Sequence, residues 1–265
     1  MGADEYRTRA RATWAAGNWD SFAGMISPVG ASALRHVGVQ PGLTLLDVGT
    51  GNGANVAIPA AQQGATVTGL DLTPELLDHA RRNADAAGVK VEWVEGDAQE
   101  LPFPDDVFDR VVSTFAVIFV PDHRGGVREL MRVCKPGGRI AMTGWAPDGF
   151  VGSQSRLGAS FVPPPPGFDV PSDWGREEYA REIFGELGVT PEVYEESVVF
   201  EFPSVEETVR RYTQELGPAV MARTVLEPQG RWDEYVDALR DLIVRFNGAD
   251  DGSVRIVSTY LVILV

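Results

Sequence analysis

A glycine-rich stretch and three aspartates are the residues whose types and spacing suit ligand binding. The stretch is Gly49-Thr50-Gly51-Asn52-Gly53-Ala54, inside LLDVGTGNGANVAIPA, where an apolar run gives way to glycine and then to a helical pattern. Glycine allows positive φ and a close approach of backbone to a ligand. Asp47, Asp71 and Asp97 each lie near the end of a strand-like run. Carboxyl ends of parallel strands share one edge of a sheet, so we expect these carboxylates to line one crevice.

Two kinds of ligand fit this pattern. The spacing GxGxxA, with Asp71 about 20 residues further on, satisfies the fingerprint of dinucleotide-binding proteins. Three features favour another ligand: Gly53 widens the turn, Asp47 would place a buried carboxylate beside a polyanion, and Asp97 adds a third acidic group. The pattern therefore favours a cationic nucleoside without phosphate, and a nicotinamide dinucleotide remains the alternative.

Four segments resemble the motifs of class I S-adenosylmethionine-dependent methyltransferases, in matching order and spacing. They are LLDVGTGNG, VTGLDLTPELLDHAR, GDAQELPFPDDVFDRVVS and RVCKPGGRIAMTGW, which together cover residues 43–145. The resemblance is to the methyltransferase type 11 group, which includes quinone-biosynthesis C-methyltransferases and many small-molecule methyltransferases. It implies S-adenosyl-L-methionine as the cofactor and a doubly wound, seven-stranded, mostly parallel α/β sheet of Rossmann-like form with a helical cap.

The resemblance also implies a role for each site residue. The loop glycines and Thr50 would line the methionine and ribose, with Asp47 beside them. Asp71 would accept both ribose hydroxyls, and Asp97 would bind the adenine amino group. Leu72 would pack on the adenine, the Ala98 backbone would contact its ring, and Ser113 would touch the methionine end. The predicted cofactor site is therefore Asp47, Gly49, Thr50, Gly51, Gly53, Asp71, Leu72, Asp97, Ala98 and Ser113.

His123 is the single side chain that we consider as a general base. It follows FVPD just after the fourth predicted strand, on the side where the ligand is expected, and a neutral imidazole there could accept a proton from a substrate. The alternative is a polar residue in the first turn of the helix HRGGVRELMRV. His36 and His79 are expected to be structural or exposed, and no metal site is predicted because the acidic cluster around Asp105 has no histidine.

Strand-like and helix-like segments alternate from residue 43 to residue 144, which is typical of βαβ units. Five strands are predicted at 43–49, 66–72, 90–97, 108–115 and 138–145, and two more at SVVFEFP and at the C-terminal apolar run. We divide the chain into a helical segment at 1–40 that covers the ligand, a cofactor-binding core at 41–145, and a remainder at 146–265. The remainder holds a proline-rich substrate-side loop at 161–175, with Trp174 among its lid residues, and two cap helices at 204–247.

Composition narrows the possible partners. The formal net charge is −15 and the chain has few lysines, so we expect no nucleic-acid partner. One cysteine, the absence of a secretory signal pattern at the N-terminus and the absence of a membrane-spanning run favour a cytoplasmic protein without a membrane partner. The sequence leaves the oligomeric state open.

The sequence thus predicts methyl transfer to a mostly apolar small-molecule acceptor at O, N or C by an in-line SN2 displacement. We expect the acceptor to be mostly apolar because the predicted lid segments contain aromatic residues. The alternatives are an NADP-dependent oxidoreductase and a protein that binds S-adenosylmethionine without catalysis.

Overall fold

The computed structural model describes residues 3–265 and contains one seven-stranded sheet in the order β3-β2-β1-β4-β5-β7-β6. The strands are β1 Thr44–Val48, β2 Thr66–Asp71, β3 Glu92–Glu95, β4 Phe108–Thr114, β5 Cys134–Trp145, β6 Glu192–Phe202 and β7 Val254–Leu264. The strands β1 to β5 run parallel, and β7 lies antiparallel between β5 and β6. The prediction of a seven-stranded, mostly parallel sheet is confirmed.

Ten α-helices in residues 3–265 flank the sheet. They are α1 Ala3–Ala15, α2 Asp20–Val37, α3 Ala57–Gln62, α4 Pro74–Ala87, α5 His123–Val133, α6 Phe150–Phe161, α7 Glu177–Glu186, α8 Val205–Gln214, α9 Gly217–Leu226 and α10 Trp232–Phe246. Short 3₁₀ turns occur at Val117–Phe119, Pro171–Gly175 and Glu227–Gln229. None of the helices in this described part of the chain combines the length and apolar character needed to cross a bilayer.

Alternation along the strands places helices on both faces of the sheet. Leu45 and its neighbours Val67 and Val112 pack on the side of α2 and α3, while Leu46 and Val111 pack on the side of α5. Successive strand residues point to opposite faces, so one sheet buries two apolar layers. This doubly wound arrangement leaves the carboxyl ends of β1 to β5 as the edge where ligands bind in such folds.

Local sequence signals set the helix that follows β2. It begins with Pro74, whose fixed φ suits the first helical position, and ends before Gly88, which adopts a φ of +69°. Leu77, Ala80 and Ala84 form its buried face. The proline at its start and the glycine after its end therefore set the length of α4.

Elements outside the parallel core differ more from the prediction. The segment 4–38 forms two helices separated by a turn, and the segment 204–247 forms three helices instead of two. The helix α6 was not predicted. The strands β5 and β6 begin earlier than expected, because Cys134 pairs with Phe108 and because β6 pairs with β7 along its full length. Four glutamates lie along β6, an edge strand, and they obscure its strand pattern in the sequence.

The proline-rich segment 161–175 ends in a turn that packs tightly on β5. Trp174 is fully buried. A Cβ atom on Gly144 would lie 2.5 Å from the Trp174 carbonyl oxygen, and one on Gly175 would lie 1.9 Å from the Trp145 carbonyl oxygen. Both glycines are therefore required by close backbone contact. The expectation that Trp174 belongs to a substrate lid is wrong, because its indole belongs to the core.

We expect Trp174→Ala to lower the free energy of unfolding by about 3–5 kcal/mol, the usual loss for a large buried aromatic side chain. Urea denaturation measures the change. Trp232→Ala, at a half-buried position on α10, is the matched control and should cost clearly less. Equal losses at the two positions would contradict the core role of Trp174.

Candidate functional site

The carboxylate of Asp47 holds the glycine loop in place through hydrogen bonds. It accepts hydrogen bonds from the Thr50 hydroxyl at 2.6 Å and from the Ala57 backbone N–H at 3.2 Å. Ala57 is the first residue of α3, so the carboxylate takes a helix N-terminal donor that a dinucleotide-binding protein offers to a pyrophosphate. Asp47 therefore stabilises both ends of the loop.

Most backbone N–H groups of the loop are already used within the protein. Those of Gly49 and Thr50 donate to the Leu70 carbonyl, and that of Gly53 donates to the Thr50 carbonyl. The N–H of Gly51 donates to the Asp71 carboxylate at 2.8 Å. A phosphate-binding loop instead directs such donors at its ligand. The loop thus favours a ligand without phosphate.

Asp71 ends β2 and lies directly beside the loop. One carboxylate oxygen accepts from Gly51 N and the other from Thr73 N at 2.9 Å. Each oxygen keeps a second lone pair, so the carboxylate can still accept hydroxyl donors from a ligand. Its position agrees with the predicted contact to a ribose, which stays a prediction.

Both aspartates are buried and are held by uncharged donors. Burial raises the pKa of Asp47 to about 7, and the negative charge of Asp71 raises it further, while the bonds from Thr50 and Ala57 lower it. Burial also raises the pKa of Asp71, against the effect of its backbone donors. A cation bound beside them would favour their ionised forms, so the pair suits a cationic ligand better than an anionic one.

The three glycines of the loop differ in the space that surrounds them. All have positive φ, but a Cβ on Gly49 would lie 2.1 Å from the Ala116 Cβ, and one on Gly53 would lie 2.6 Å from the Trp93 ring. A Cβ on Gly51 would meet no atom within 4 Å. Gly51 is therefore the loop glycine that faces open space for a ligand. Gly53 is required instead because a side chain there would collide with the Trp93 ring.

The helix α1 lies across the carboxyl edge of the sheet. Arg7 approaches Asp97 to 3.8 Å, and Arg11 forms an ion pair with Glu95 at the end of β3. On the other side, the Tyr6 hydroxyl donates to the Phe119 carbonyl after β4 at 3.3 Å. The helix therefore bridges the ends of β3 and β4, over the crevice that the loop borders.

Two predicted adenine contacts lie under this helix. Asp97 and Ala98 are half-buried after β3, and one Asp97 carboxylate oxygen accepts from the Gln99 backbone N–H at 2.9 Å. Leu72 is half-buried after β2. The three residues stand at the same strand edge as the loop, as the sequence predicted, and their contacts with adenine remain a prediction.

Ser113 is buried near the end of β4. Its hydroxyl donates to the Val48 carbonyl at 3.0 Å and accepts from the Val117 N–H at 3.1 Å. These bonds connect β4 to β1 and to the turn at Val117–Phe119. The geometry therefore favours a structural role for this hydroxyl over the predicted contact with the methionine end.

His123 does not present a nitrogen to the crevice. The ring is fully buried, its Nε2 donates to the Ile118 carbonyl at 2.8 Å, and its Nδ1 accepts from the Tyr179 hydroxyl at 2.8 Å. The carbonyl can only accept, which assigns the proton to Nε2. Burial lowers the pKa of His123. The geometry contradicts the general-base hypothesis and supports the alternative of a structural residue in the first turn of α5.

Some residues at the site were not found from the sequence. Asn52 in the loop donates to Asp20 at the start of α2, and Asp20 also contacts His79 at 3.0 Å. Tyr6 and Trp93 contact the site from distant segments. Their roles arise from contacts between residues far apart in the chain, for which the sequence carries no periodic signal. In residues 3–265, no cluster of three or more His, Cys, Asp or Glu is arranged to hold a metal ion.

Comparison with known proteins agrees with this geometry. Residues 46–142 match the family described as methyltransferase domain. An uncharacterised protein of Mycobacterium tuberculosis is 42% identical over 185 residues, which are 68% of this chain and 66% of that protein. The chain therefore spans slightly less than two-thirds of the length of this relative.

Two further similarities are informative. Demethylmenaquinone methyltransferase of Thermus thermophilus is 40% identical over 105 residues, 39% of this chain and 47% of that enzyme. The crystal structure of a protein described as a putative methyltransferase from Bacillus halodurans superposes with a TM-score of 0.61 at 22% identity, and covers 89% of this chain and 96% of its own. The structural similarity establishes the fold alone.

We expect Gly51→Ala to weaken the binding of S-adenosylhomocysteine, the demethylated form of the cofactor that the motifs imply, by at least about tenfold, because its methyl group would enter the ligand space. The positive φ costs only about 1–2 kcal/mol of stability. Calorimetric titration measures binding. Gly49→Ala should instead lose more stability, since its Cβ would collide with Ala116. Unchanged affinity in Gly51→Ala would contradict this assignment.

We expect the pH dependence of stability to report on Asp47. Its pKa of about 7 in the folded protein lies above the ordinary value of 3.8, so between these values the native state holds a proton that the unfolded chain has lost. The contribution to the free energy of unfolding therefore falls as the pH rises through this window. Urea denaturation measures this effect. Between about pH 5 and pH 8, the free energy of unfolding of Asp47→Asn should rise by about 2–3 kcal/mol relative to that of the wild type. If the free energies of unfolding of the two proteins changed in parallel with pH, the raised pKa of Asp47 would be disproved.

Proposed function

We propose that the chain transfers a methyl group from S-adenosylmethionine to a small-molecule acceptor, a proposal that the match of residues 46–142 to the methyltransferase domain family supports. The proposal rests above all on the pair of buried carboxyl groups, Asp47 and Asp71, beside a loop that directs most of its backbone donors into the protein. S-adenosylmethionine carries a sulfonium, an ammonium and a ribose, and it has no phosphate. These properties fit the site better than those of a dinucleotide.

The cofactor residues would act as follows. Gly51 gives the ligand access to the loop, and Asp71 accepts the ribose hydroxyls. Asp97 and Ala98 contact the adenine, and Leu72 packs on it. Asp47 acts through the loop that it holds. Gly49, Thr50 and Gly53 set the loop conformation, and Ser113 holds the adjacent strand end.

An apolar acceptor suits the aromatic groups above the strand ends. Trp14 on α1 packs on Phe119 with ring centroids 4.9 Å apart, and Tyr6 packs edge-on against Phe168 at 5.7 Å. Apolar walls with few polar groups are typical of small-molecule sites. The similarity to a demethylmenaquinone methyltransferase supports an acceptor that contains a quinone-like ring. Methylation of carbon is consistent with this, and oxygen and nitrogen remain possible methyl acceptors.

The chemistry requires alignment more than acid–base groups. The bound cofactor supplies an electrophilic methyl carbon whose bond to sulfur breaks, with both electrons going to sulfur, as the acceptor atom forms its new bond. The residues of the chain hold donor and acceptor in line and exclude water. The helix α1 performs the second task through its contacts at Asp97 and Phe119. A proton displaced from the acceptor passes to solvent, since His123 has both ring nitrogens engaged.

The remaining organisation is also a proposal. The segment 1–40 would cover the ligands, 41–145 would bind the cofactor, and 146–265 would complete the sheet and shape the acceptor side, with the helices in 204–247 as the cap. A protein of this kind needs no nucleic acid or membrane partner, and we expect it in the cytoplasm. A protein that binds the cofactor without catalysis would share the same loop geometry, and a product test separates the two.

We expect S-adenosylhomocysteine to bind in calorimetric titration and Asp71→Asn to weaken it by at least about thirtyfold, because hydrogen bonds to a charged acceptor contribute about 1.5–3 kcal/mol each. Asp78→Asn, on the exposed surface of α4, is the matched control and should leave affinity unchanged. NADPH should not compete.

Two results would overturn the proposal. One is tight binding of S-adenosylhomocysteine by Asp71→Asn with no loss relative to the wild type. The other is binding of NADPH with displacement of S-adenosylhomocysteine, which would favour the oxidoreductase. Catalysis itself is tested with methyl-labelled cofactor and a metabolite extract, where a labelled product separates an enzyme from a binding protein.

A further inference from the structure

Phe115 has a backbone conformation that aromatic residues rarely adopt. It follows the last residue of β4 and has a φ of +53°, in the left-handed region that glycine and asparagine enter most easily. Such strain persists where the surrounding structure enforces it and is concentrated at functional sites. A phenylalanine at this position therefore indicates that its ring is needed there.

Two contacts hold the strained residue. Its backbone N–H donates to the hydroxyl of Thr143, a fully buried residue of β5, at 3.1 Å. The next residue, Ala116, lies so close to the loop that a Cβ on Gly49 would be 2.1 Å from the Ala116 Cβ. The left-handed turn therefore brings the chain after β4 into direct contact with the proposed cofactor loop.

The ring of Phe115 is the outer member of an aromatic stack. It lies parallel to the Trp145 ring, with centroids 3.8 Å apart and an angle of 9°, and it meets the Tyr260 ring edge-on at 5.8 Å. Trp145 and Tyr260 are buried, whereas Phe115 is only half-buried. Most of the accessible surface of these three residues therefore belongs to Phe115.

The position of this stack matches the acceptor side of the proposed reaction. In the sheet order, β4 follows β1 directly, so Phe115 lies at the point where the strand order reverses and where ligands bind in open α/β sheets. The cofactor residues lie towards β2 and β3, and Trp145 ends β5 on the other side. A molecule resting on the ring would adjoin the loop end of the cofactor site.

We propose that Phe115 is a positioning residue for the methyl acceptor, and that the acceptor is a planar aromatic ring that stacks on it. This inference rests on the proposed function and adds to it the side chain on which the acceptor ring stacks and the requirement that this ring be planar and aromatic. Trp145 supports the ring from behind, and the left-handed turn at Phe115 sets its direction. Stacked aromatic pairs prefer parallel, offset faces, which fixes the plane of the acceptor relative to the loop.

The test uses the full chain saturated with S-adenosylhomocysteine and two probes with the same carbon skeleton. They are 2-naphthol, which is planar and aromatic, and decahydro-2-naphthol, which is saturated. We expect 2-naphthol to bind more tightly, with its proton resonances shifted upfield by the ring current of Phe115. Phe115→Leu should weaken 2-naphthol about tenfold, leave decahydro-2-naphthol nearly unchanged, and abolish most of the upfield shift.

Three controls separate positioning from general damage. Phe115→Tyr keeps a ring and should restore binding of 2-naphthol. Phe103→Leu removes a half-buried ring that packs on Phe108 at the start of β4, the opposite edge of the sheet, and it should change neither probe. If Phe115→Leu does not fold, Phe115→Asn replaces it, because asparagine tolerates the left-handed conformation.

The outcomes distinguish this inference from the proposed function. Failure of S-adenosylhomocysteine to bind the wild type would overturn both. Binding of S-adenosylhomocysteine without binding of 2-naphthol would overturn only the proposal that the acceptor stacks on Phe115. Equal affinity of the two probes, or unchanged 2-naphthol affinity in a folded Phe115→Leu or Phe115→Asn, would also overturn it.

Discussion

The hydrogen bonds of the Asp47 carboxylate are the interaction on which the rest of the site depends. One buried side chain accepts from Thr50 inside the loop and from Ala57 at the start of α3. These two bonds fix where the loop begins and ends. Asp47 therefore shapes the loop. Its carboxyl group would also be ionised more readily beside a sulfonium or ammonium group than beside a phosphate, which favours a cationic ligand.

A second set of contacts surrounds this loop with pieces of chain that are distant in sequence. Trp93 from β3 packs against Gly53, Ala116 against Gly49, and Asp20 from α2 bonds with Asn52. The loop is thus supported from several sides, and its open side is at Gly51. Rigid support of this kind lets a short loop hold a ligand precisely, because little further ordering is needed on binding.

The helix α1 and the stack at Phe115 divide the crevice between them. The helix covers the ends of the strands through charged contacts at Glu95 and Asp97. The stack is built on buried Trp145 and on a hydrogen bond to buried Thr143. A cover that excludes water and a supported platform suit an alignment reaction, since the reactants must be held in line.

The sequence by itself determined the parallel core, the glycine loop and the acidic strand ends. These features depend on short-range patterns: apolar alternation, turn residues, and the Pro74 and Gly88 boundaries of α4. Only the tertiary structure decided which groups are free to meet a ligand. His123 and Ser113 looked available in the sequence, but Tyr179, Ile118 and Val48 occupy their polar atoms, whereas Phe115 gained its importance from Trp145 and Thr143. Those partners lie far along the chain or on neighbouring strands, and the pairing of a polar atom or a ring is settled by contacts that no local pattern encodes.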